Sequence, residues 1–177
     1  WEIYIPMKHG QKVWDLIAEA GKPHGIVPAG IGVYGTTGRL EKGYRLFGAE
    51  LEGEYTPIEA GLLRAKGKSQ DFTGKDALVK LREKDPVTTM CTLTVNNHQS
   101  SNGELRYMLG GEPILSLDGD RIVDAHGRSS YVTSSGSGPS TGKHILMAYL
   151  PPQYAKAGTS PLVEYFGDRS EERRVGK

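Results

Sequence analysis

The spacing of apolar residues predicts a helical first region. Residues 2–6, EIYIP, alternate between polar and apolar side chains, which is typical of a strand. Residues 10–20, GQKVWDLIAEA, carry apolar side chains at helical spacing and predict an amphipathic helix that ends at Gly21. Its apolar face consists of Val13, Trp14, Leu16, Ile17 and Ala20. Residues 25–35 are rich in glycine and predict a loop, and 36–41 predict a short helical turn.

Two more helix starts are predicted before residue 87. In the stretch 56–62, TPIEAGL, Thr56 takes the N-cap position and Glu59 the third helical position, which is the spacing of a capping box. A second helix is predicted over 75–84, and the Asp-Pro pair at 85–86 ends it.

Strand signals dominate after residue 86. Short alternating segments predict strands over 87–95, 105–109, 113–117, 121–125, 130–134, 144–150 and 161–166. The Asp118-Gly119 pair is a hairpin-turn signal between two of them. The run 133–142, TSSGSGPSTG, is predicted to be a structured loop because strands flank it closely. We therefore expect an α+β fold, with a partial α/β domain over 1–86 and an all-β domain over 87–167, either a small antiparallel barrel or a sandwich.

Composition narrows the class of protein. The chain has 177 residues, 37% of them hydrophobic and 24% charged, with a formal net charge of +1. Nothing in this balance points to a nucleic-acid or membrane partner, and no apolar run approaches the roughly 18–20 residues of a membrane span. The single cysteine, Cys91, has no internal partner for a disulfide and is expected to be a buried strand residue. We expect a cytoplasmic protein.

The two ends of the sequence differ from the rest. The chain begins at Trp1, without a start methionine, at the opening of the first predicted strand. It ends in 168–177, DRSEERRVGK, which has no pattern of its own. We expect the first domain to be N-terminally truncated and residues 168–177 to be a non-native tail outside the fold.

Two glycine-rich stretches match nucleotide-binding motifs only in part. Residues 30–35, GIGVYG, spell the dinucleotide-binding pattern, but Gly38 and Gly43 interrupt the helix that should follow. Residues 137–144, SGPSTGKH, fail the phosphate-loop pattern because Ser137 replaces the first glycine and His144 replaces the serine or threonine. The histidines have no ligand spacing, so no metal site is predicted and they are expected to be exposed or hydrogen-bonded.

Five short pieces, taken in order, carry a stronger signal. They are WEIYIP at 1–6, GRLEKGYR at 38–45, TPIEAGL at 56–62, DFTGKDAL at 71–78, and VTSSG at 132–136 with PSTGK at 139–143. Together they resemble the aminomethyltransferase family of the glycine cleavage T-protein. More narrowly, they resemble the C-terminal folate-binding part of FAD-dependent dimethylglycine and sarcosine dehydrogenases or oxidases. In that family the second domain is a small β-barrel.

The resemblance implies a one-carbon function. Such proteins bind tetrahydrofolate and capture a one-carbon unit from an oxidised N-methyl amine, giving 5,10-methylenetetrahydrofolate. FAD then belongs to an upstream domain of the same parent chain and is not bound by these residues. Two alternatives keep the fold: a non-catalytic folate-binding assembly or repair factor, and a folate-dependent O- or S-demethylase.

The resemblance also implies which residues bind the cofactor. Glu2 matches a pterin-binding carboxylate, and Trp1 and Tyr4 are placed to pack near the ring; the alternatives are a surface glutamate and core filling. Arg39 matches the arginine of the family's L-R-x-E element, and its alternative is a surface pair with Glu41.

Other candidates are weaker, and some of the family pattern is missing. Tyr44 and Arg45 follow the L-R-x-E element, while Ser135 and Lys143 either close over the pocket or lie on a solvated loop. The family's catalytic aspartate lies upstream of the piece that begins at Trp1. No catalytic residue is therefore assigned, and we expect these residues alone to be inactive.

Overall fold

The computed structural model describes residues 1–62, 69–100 and 102–174. The chain divides into two compact units, Trp1–Gly30 and Ile31–Lys177. The sequence-based boundary between residues 86 and 87 falls inside the second unit, and the division into domains at that point stays a prediction.

The first unit contains the predicted helix. Helix α1 spans Gly10–Gly21, between 3-10 turns at Met7–His9 and Lys22–His24. Gly21 is required where α1 ends, because a Cβ at this position would lie 2.4 Å from Cγ2 of Ile26. The Ile26 amide donates to the Gly21 carbonyl at 3.2 Å, so the chain folds back over the end of the helix.

One expectation for the first unit is wrong. Residues 2–6 are not a strand, because a strand needs a neighbour for its backbone hydrogen bonds and no described residue pairs with them. Trp1 and Tyr4 are exposed instead. The apolar face of α1 is not buried either, since Trp14 is 59% and Leu16 60% exposed.

The second unit opens with a helix where a glycine-rich loop was expected. The helix begins at Ile31 and passes through a π-helical segment, Val33–Gly38, into α2, Arg39–Lys42. A Cβ at Gly38 would lie 2.5 Å from the Val33 carbonyl oxygen, so only glycine fits the turn. Gly43, with φ 66°, ends α2 in the left-handed conformation.

The predicted capping box at Thr56 is present. The Thr56 amide donates to Glu59 Oε2 at 2.8 Å, and the Glu59 amide donates to Thr56 Oγ1 at 3.2 Å. Residues 57–61 form turns and not a helix, so the helix start predicted over 56–62 is wrong although its capping box is present. The next predicted helix is confirmed as α3, Lys75–Arg82.

The second unit is built around an antiparallel sheet. Its strands are β1 (Thr89–Val95), β2 (Ile114–Leu115), β3 (Val132–Gly138), β4 (Lys143–Leu150), β5 (Leu162–Tyr165) and β6 (Asp168–Arg174). Their order is β2-β5-β6-β1-β4-β3, and every pairing is antiparallel. The α+β class is confirmed, but the six strands do not close into a barrel. Main-chain hydrogen bonds nevertheless connect the segment of β2 with that of β3, from the Gly111 and Ile114 amides to the Val132 and Ser130 carbonyls and from the Val132 amide to the Glu112 carbonyl.

Several strand predictions are corrected by this sheet. The segments 105–109 and 121–125 form only isolated bridges. The expected loop 133–142 is largely strand β3, with only its last residues in the hairpin turn. Residues 168–174, expected to stay outside the fold, pair with both β1 and β5.

Strand β4 is buried on both faces. Leu146, Ala148 and Leu150 enter one apolar cluster. Ile145, Met147 and Tyr149 enter a second cluster, together with Leu40 of α2 and Ala60. A continuous apolar run such as HILMAYL is expected when a strand is covered on both sides. The segment around α2 and residue 60 therefore covers one face of the sheet.

Small residues on β3 allow α2 to approach the sheet. A Cβ at Gly136 would lie 2.8 Å from Cδ1 of Leu40, which is itself fully buried. Glycine at position 136 is therefore a packing requirement of this contact.

Replacing Gly136 tests this contact. We expect Gly136→Val to lower the free energy of unfolding by about 1–3 kcal/mol, because the added side chain overpacks against Leu40. Ser137→Ala, at the exposed neighbouring position, is the control and should change stability by less than about 0.5 kcal/mol. Urea unfolding of both variants measures the difference, and equal midpoints would contradict this account.

Candidate functional site

A buried ion pair joins α2 to the loop that follows it. Arg39 Nη1 lies 3.1 Å from Glu50 Oε2, with the two side chains 10% and 0% exposed. Arg39 Nη2 donates to Ser134 Oγ of β3 at 2.8 Å, and its Nε donates to the Gly35 carbonyl. The guanidinium thus ties the π-helical segment, the loop and the sheet together.

Glu50 has hydrogen-bond donors on both carboxylate oxygens. The Leu46 amide donates to Oε2 at 2.8 Å, and Thr133 Oγ1 donates to Oε1 at 2.7 Å. The Tyr149 hydroxyl donates to the Glu50 carbonyl at 2.7 Å. A buried carboxylate is tolerated when it is paired and fully hydrogen-bonded, as it is here.

A cleft of about 480 Å³ opens beside this pair. It is lined by Val33, Tyr34, Gly35, Gly38, Arg39, Tyr44, Arg45 and Leu46. Two of the residues that the sequence nominates for cofactor binding, Arg39 and Tyr44, therefore line one cavity. Tyr34 and Tyr44 are 83% and 65% exposed, so both phenol rings are accessible at its walls.

Arg45 is the second arginine of the cleft. Its Nε donates to the Ala60 carbonyl at 2.8 Å, and its Nη1 donates to the Gly43 carbonyl. No described carboxylate forms an ion pair with it. Arg45 is therefore fixed by neutral groups, whereas Arg39 is fixed by a charge.

The other nominated residues lie in the first unit. Trp1, Glu2 and Tyr4 are exposed there, and the Tyr4 hydroxyl donates to a Glu2 carboxylate oxygen. This hydrogen bond raises the pKa of Tyr4. The roles of these three side chains in cofactor binding stay predictions.

The suggested surface pair between Arg39 and Glu41 is wrong. Glu41 instead binds the β3–β4 turn, accepting from the Ser140 amide at 2.6 Å and from the Ser140 hydroxyl at 2.9 Å. These hydrogen bonds lower the pKa of Glu41. Ser135 donates to the Met108 carbonyl, and Lys143 is exposed at the start of β4, so neither lines the cleft.

A second charged network, which the sequence analysis missed, surrounds Arg128. Its guanidinium lies 2.5 Å from Glu59 and 2.7 Å from Asp124, and 4.6 Å from the centre of the Tyr55 ring. Burial favours a higher pKa for Glu59, but hydrogen bonds from Thr56 and Arg128 outweigh it and lower the pKa. The capping box alone signalled Glu59; no local pattern signals its partner 69 residues away.

His144 departs from the expectation that histidines are exposed or hydrogen-bonded. It is 4% exposed on β4, and neither ring nitrogen makes a hydrogen bond to the described residues. The rings of His98 and Tyr107 lie edge-on, with centroids at 6.1 and 5.8 Å. Burial lowers the pKa of His144, and the Met108 main chain and the Glu112 charge oppose this only in part.

Within residues 1–62, 69–100 and 102–174, no three histidine, cysteine or acidic side chains come close enough together to hold a metal ion. No helix there has both the length and the apolar character needed to cross a membrane.

The sequence matches two family models. Residues 1–69 match the GCVT N-terminal domain. Residues 102–177 match the glycine cleavage T-protein C-terminal barrel domain. Over these two ranges the chain is similar to domains of the glycine cleavage T-protein. The second match extends through β6, which agrees with the place of that strand in the sheet.

Individual relatives agree with this similarity. An aminomethyltransferase of Caldanaerobacter subterraneus subsp. tengcongensis is 34% identical over 89% of this chain and 38% of its own length. One of Streptomyces avermitilis is 32% identical over 90% of this chain and 40% of its own. The crystal structure of glycine cleavage system aminomethyltransferase T from Bartonella henselae aligns with a TM-score of 0.65 and 27% identity, over 78% of this chain and 36% of that one. The chain thus spans about two fifths of the length of the curated relatives it matches.

Removing the charge of Glu50 tests the ion pair. We expect Glu50→Gln to lower the free energy of unfolding by about 3–5 kcal/mol, because it leaves Arg39 buried without a counter-charge. Glu52→Gln, an exposed glutamate on the same loop, is the matched control and should change it by less than about 0.5 kcal/mol. Chemical denaturation measures the free energy of unfolding of both variants. A similarly small loss of stability in both would show that the ion pair contributes little.

The buried His144 predicts a pH dependence. Because the pKa of the folded state lies below the ordinary 6.5, the unfolded state binds a proton first as the pH falls. Stability is therefore fully present above about pH 7 and declines toward pH 5, by up to about 1.4 kcal/mol per pH unit.

Two variants isolate this histidine. His144→Phe should flatten the decline between pH 7 and 5, whereas His24→Phe, at an exposed position, should leave it unchanged. Thermal unfolding between pH 7 and 5 measures the change of stability with pH. If His144→Phe shows the same decline as the wild type, His144 is not its cause.

Proposed function

We propose that this chain is part of a tetrahydrofolate-dependent aminomethyltransferase. Relatives that match about nine-tenths of the chain are named aminomethyltransferases. The observation that carries the proposal is the cleft that Arg39 and Tyr44 line together, since the sequence nominates both residues for cofactor binding. Bound tetrahydrofolate would supply the nitrogen atoms that accept the one-carbon unit.

The cleft fits a folate-type ligand. Its volume of about 480 Å³ lies within the range of small-molecule sites. Tyr34 and Tyr44 offer aromatic surface for a flat ring. Arg39 and Arg45 supply hydrogen-bond donors for carbonyl or carboxylate oxygens. Fixed donors of this kind would hold a ligand in one orientation.

For the first unit, we propose that Glu2 binds the pterin ring. A pterin presents neighbouring N–H donors on one edge, and a carboxylate accepts two such hydrogen bonds at once. Glu2 is exposed, and its neighbour Tyr4 already donates to it. Trp1 and Tyr4 offer the aromatic surface beside it.

The finer proposal concerns the amine. The five sequence pieces resemble dimethylglycine and sarcosine dehydrogenases or oxidases, so we propose an N-methyl amine donor, oxidised by an FAD domain upstream in the same parent chain. The chain spans about two fifths of its relatives and has no assigned catalytic residue, so we propose that it is inactive alone. An FAD-binding domain encoded upstream in the gene would support this assignment. Its absence would leave a T-protein without an oxidase partner.

Calorimetric titration of tetrahydrofolate into the full-length gene product tests the proposal. We expect binding in the wild type, weakened by about 1–3 kcal/mol in Glu2→Gln, because a charged hydrogen-bond acceptor is lost. Glu19→Gln, at an exposed glutamate of the same unit, is the control and should bind like the wild type.

Each result has a distinct meaning. Equal binding in the wild type and Glu2→Gln would keep the folate function and remove Glu2 from the site. A folded wild-type protein that does not bind tetrahydrofolate would overturn the proposed function and leave the similarity to T-protein domains intact.

A further inference from the structure

The two arginines of the cleft differ in charge balance. Arg39 is paired with Glu50, so its charge is cancelled within the fold. Arg45 is held only by the carbonyls of Ala60 and Gly43, which fix its position but carry no net charge. The cleft thus contains one positive charge without a described counter-charge.

The free side of the Arg45 guanidinium has room for a ligand. Its Nε and Nη1 groups donate to carbonyls, whereas Nη2 has no acceptor among the described residues. Gly61 lies beside Nη2, and a Cβ at that position would come within 3.1 Å of it. Gly61 has φ +67°, so glycine is favoured there by conformation as well as by space. Any side chain at residue 61 would crowd Nη2, and glycine keeps this side of the guanidinium free of one.

A partly buried guanidinium without a described counter-charge favours binding of an anion. A half-buried cation has lost part of its hydration, and carbonyl dipoles replace only part of it. An oxyanion restores the balance through charge-assisted hydrogen bonds, for which the planar guanidinium is well suited. Because Arg45 is already fixed by two hydrogen bonds, little side-chain entropy is lost when it binds a ligand.

We propose that Arg45 forms an oxyanion subsite of the cleft, which binds a carboxylate or phosphate group of the ligand. Arg39, neutralised by Glu50, then contacts uncharged parts of the same ligand. This inference rests on the proposed function in one respect: the ligand used to test it is tetrahydrofolate, whose glutamate portion carries the carboxylates. The subsite gives the cleft a polarity, with the anionic end of the ligand at Arg45.

The test compares a ligand that carries carboxylates with one that has none. Tetrahydrofolate and 6-methyltetrahydropterin, which lacks both the benzoyl group and the glutamate, are titrated into the full-length gene product and its Arg45→Gln variant. We expect the variant to bind tetrahydrofolate about 10- to 100-fold more weakly and 6-methyltetrahydropterin as well as the wild type does. Lys42→Gln, an exposed cation outside the cleft lining, is the control for long-range electrostatics and should bind both ligands like the wild type.

Inorganic phosphate separates the two sources of the anion. If the subsite accepts any oxyanion, phosphate should compete with tetrahydrofolate in the wild type and lose this effect in Arg45→Gln. If phosphate does not compete but the two-ligand difference holds, the subsite is specific for the carboxylate.

Three results overturn the proposal. An equal loss for both ligands in Arg45→Gln would mean that Arg45 only supports the fold of the cleft. No loss for either ligand would mean that the charge faces no ligand. An equal loss in Lys42→Gln would assign the effect to general electrostatics. Failure of the wild type to bind either ligand would instead overturn the proposed function.

Discussion

The buried pair of Arg39 and Glu50 is the constraint on which the second unit depends. Each side chain would destabilise the fold if it stood alone, because a buried charge without a partner costs several kcal/mol. Together they join three elements that are distant in the sequence: the π-helical segment through Gly35, the loop through Leu46, and β3 through Ser134 and Thr133. The walls of the cleft are the residues between these attachment points, so the same interaction shapes the cleft.

The sheet supports the segment that carries the cleft, because β4 is covered on both faces. One cluster lies entirely against strands and loops of the sheet, and the other receives Leu40 and Ala60 from the segment that carries the cleft. Tyr149 connects the second cluster to the residues of the buried ion pair. The centre of its ring lies 3.6 Å from that of Tyr55, on which it stacks, and its hydroxyl donates to the main-chain carbonyl of Glu50. Burial raises the pKa of Tyr149 to about 12, so this hydroxyl remains a donor at physiological pH.

Local patterns predicted the elements whose causes are local. The capping box at Thr56 and Glu59 depends on spacing within one turn, and helix α1 depends on apolar periodicity, so both are readable from the sequence. Glu50 was not identified as the partner of Arg39, because Glu50, Glu52 and Glu54 look alike in sequence and only burial distinguishes the first. The strand expected at 2–6 failed for a related reason, since a strand depends on a neighbour that local alternation does not supply. The role of β3 was hidden because its serines and glycines resemble a loop, and only the packing shows that Gly136 makes room for Leu40.

The π-helical segment has a consequence for how the sequence of this region varies. A π-helical turn holds one residue more than an α-helical turn, so residues 33–38 place Arg39 at an angle that regular α-helical spacing would not give. If the same residues wound as a regular α-helix, everything beyond them would be rotated by about 100° around the helix axis, and Arg39 would point away from Glu50. Loss of one residue that turned this segment into an α-helix would remove the extra residue of the wide turn and leave the direction of Arg39 nearly unchanged. A deletion of one residue in 33–38 should therefore disturb the ion pair less than an insertion that widens the helix further.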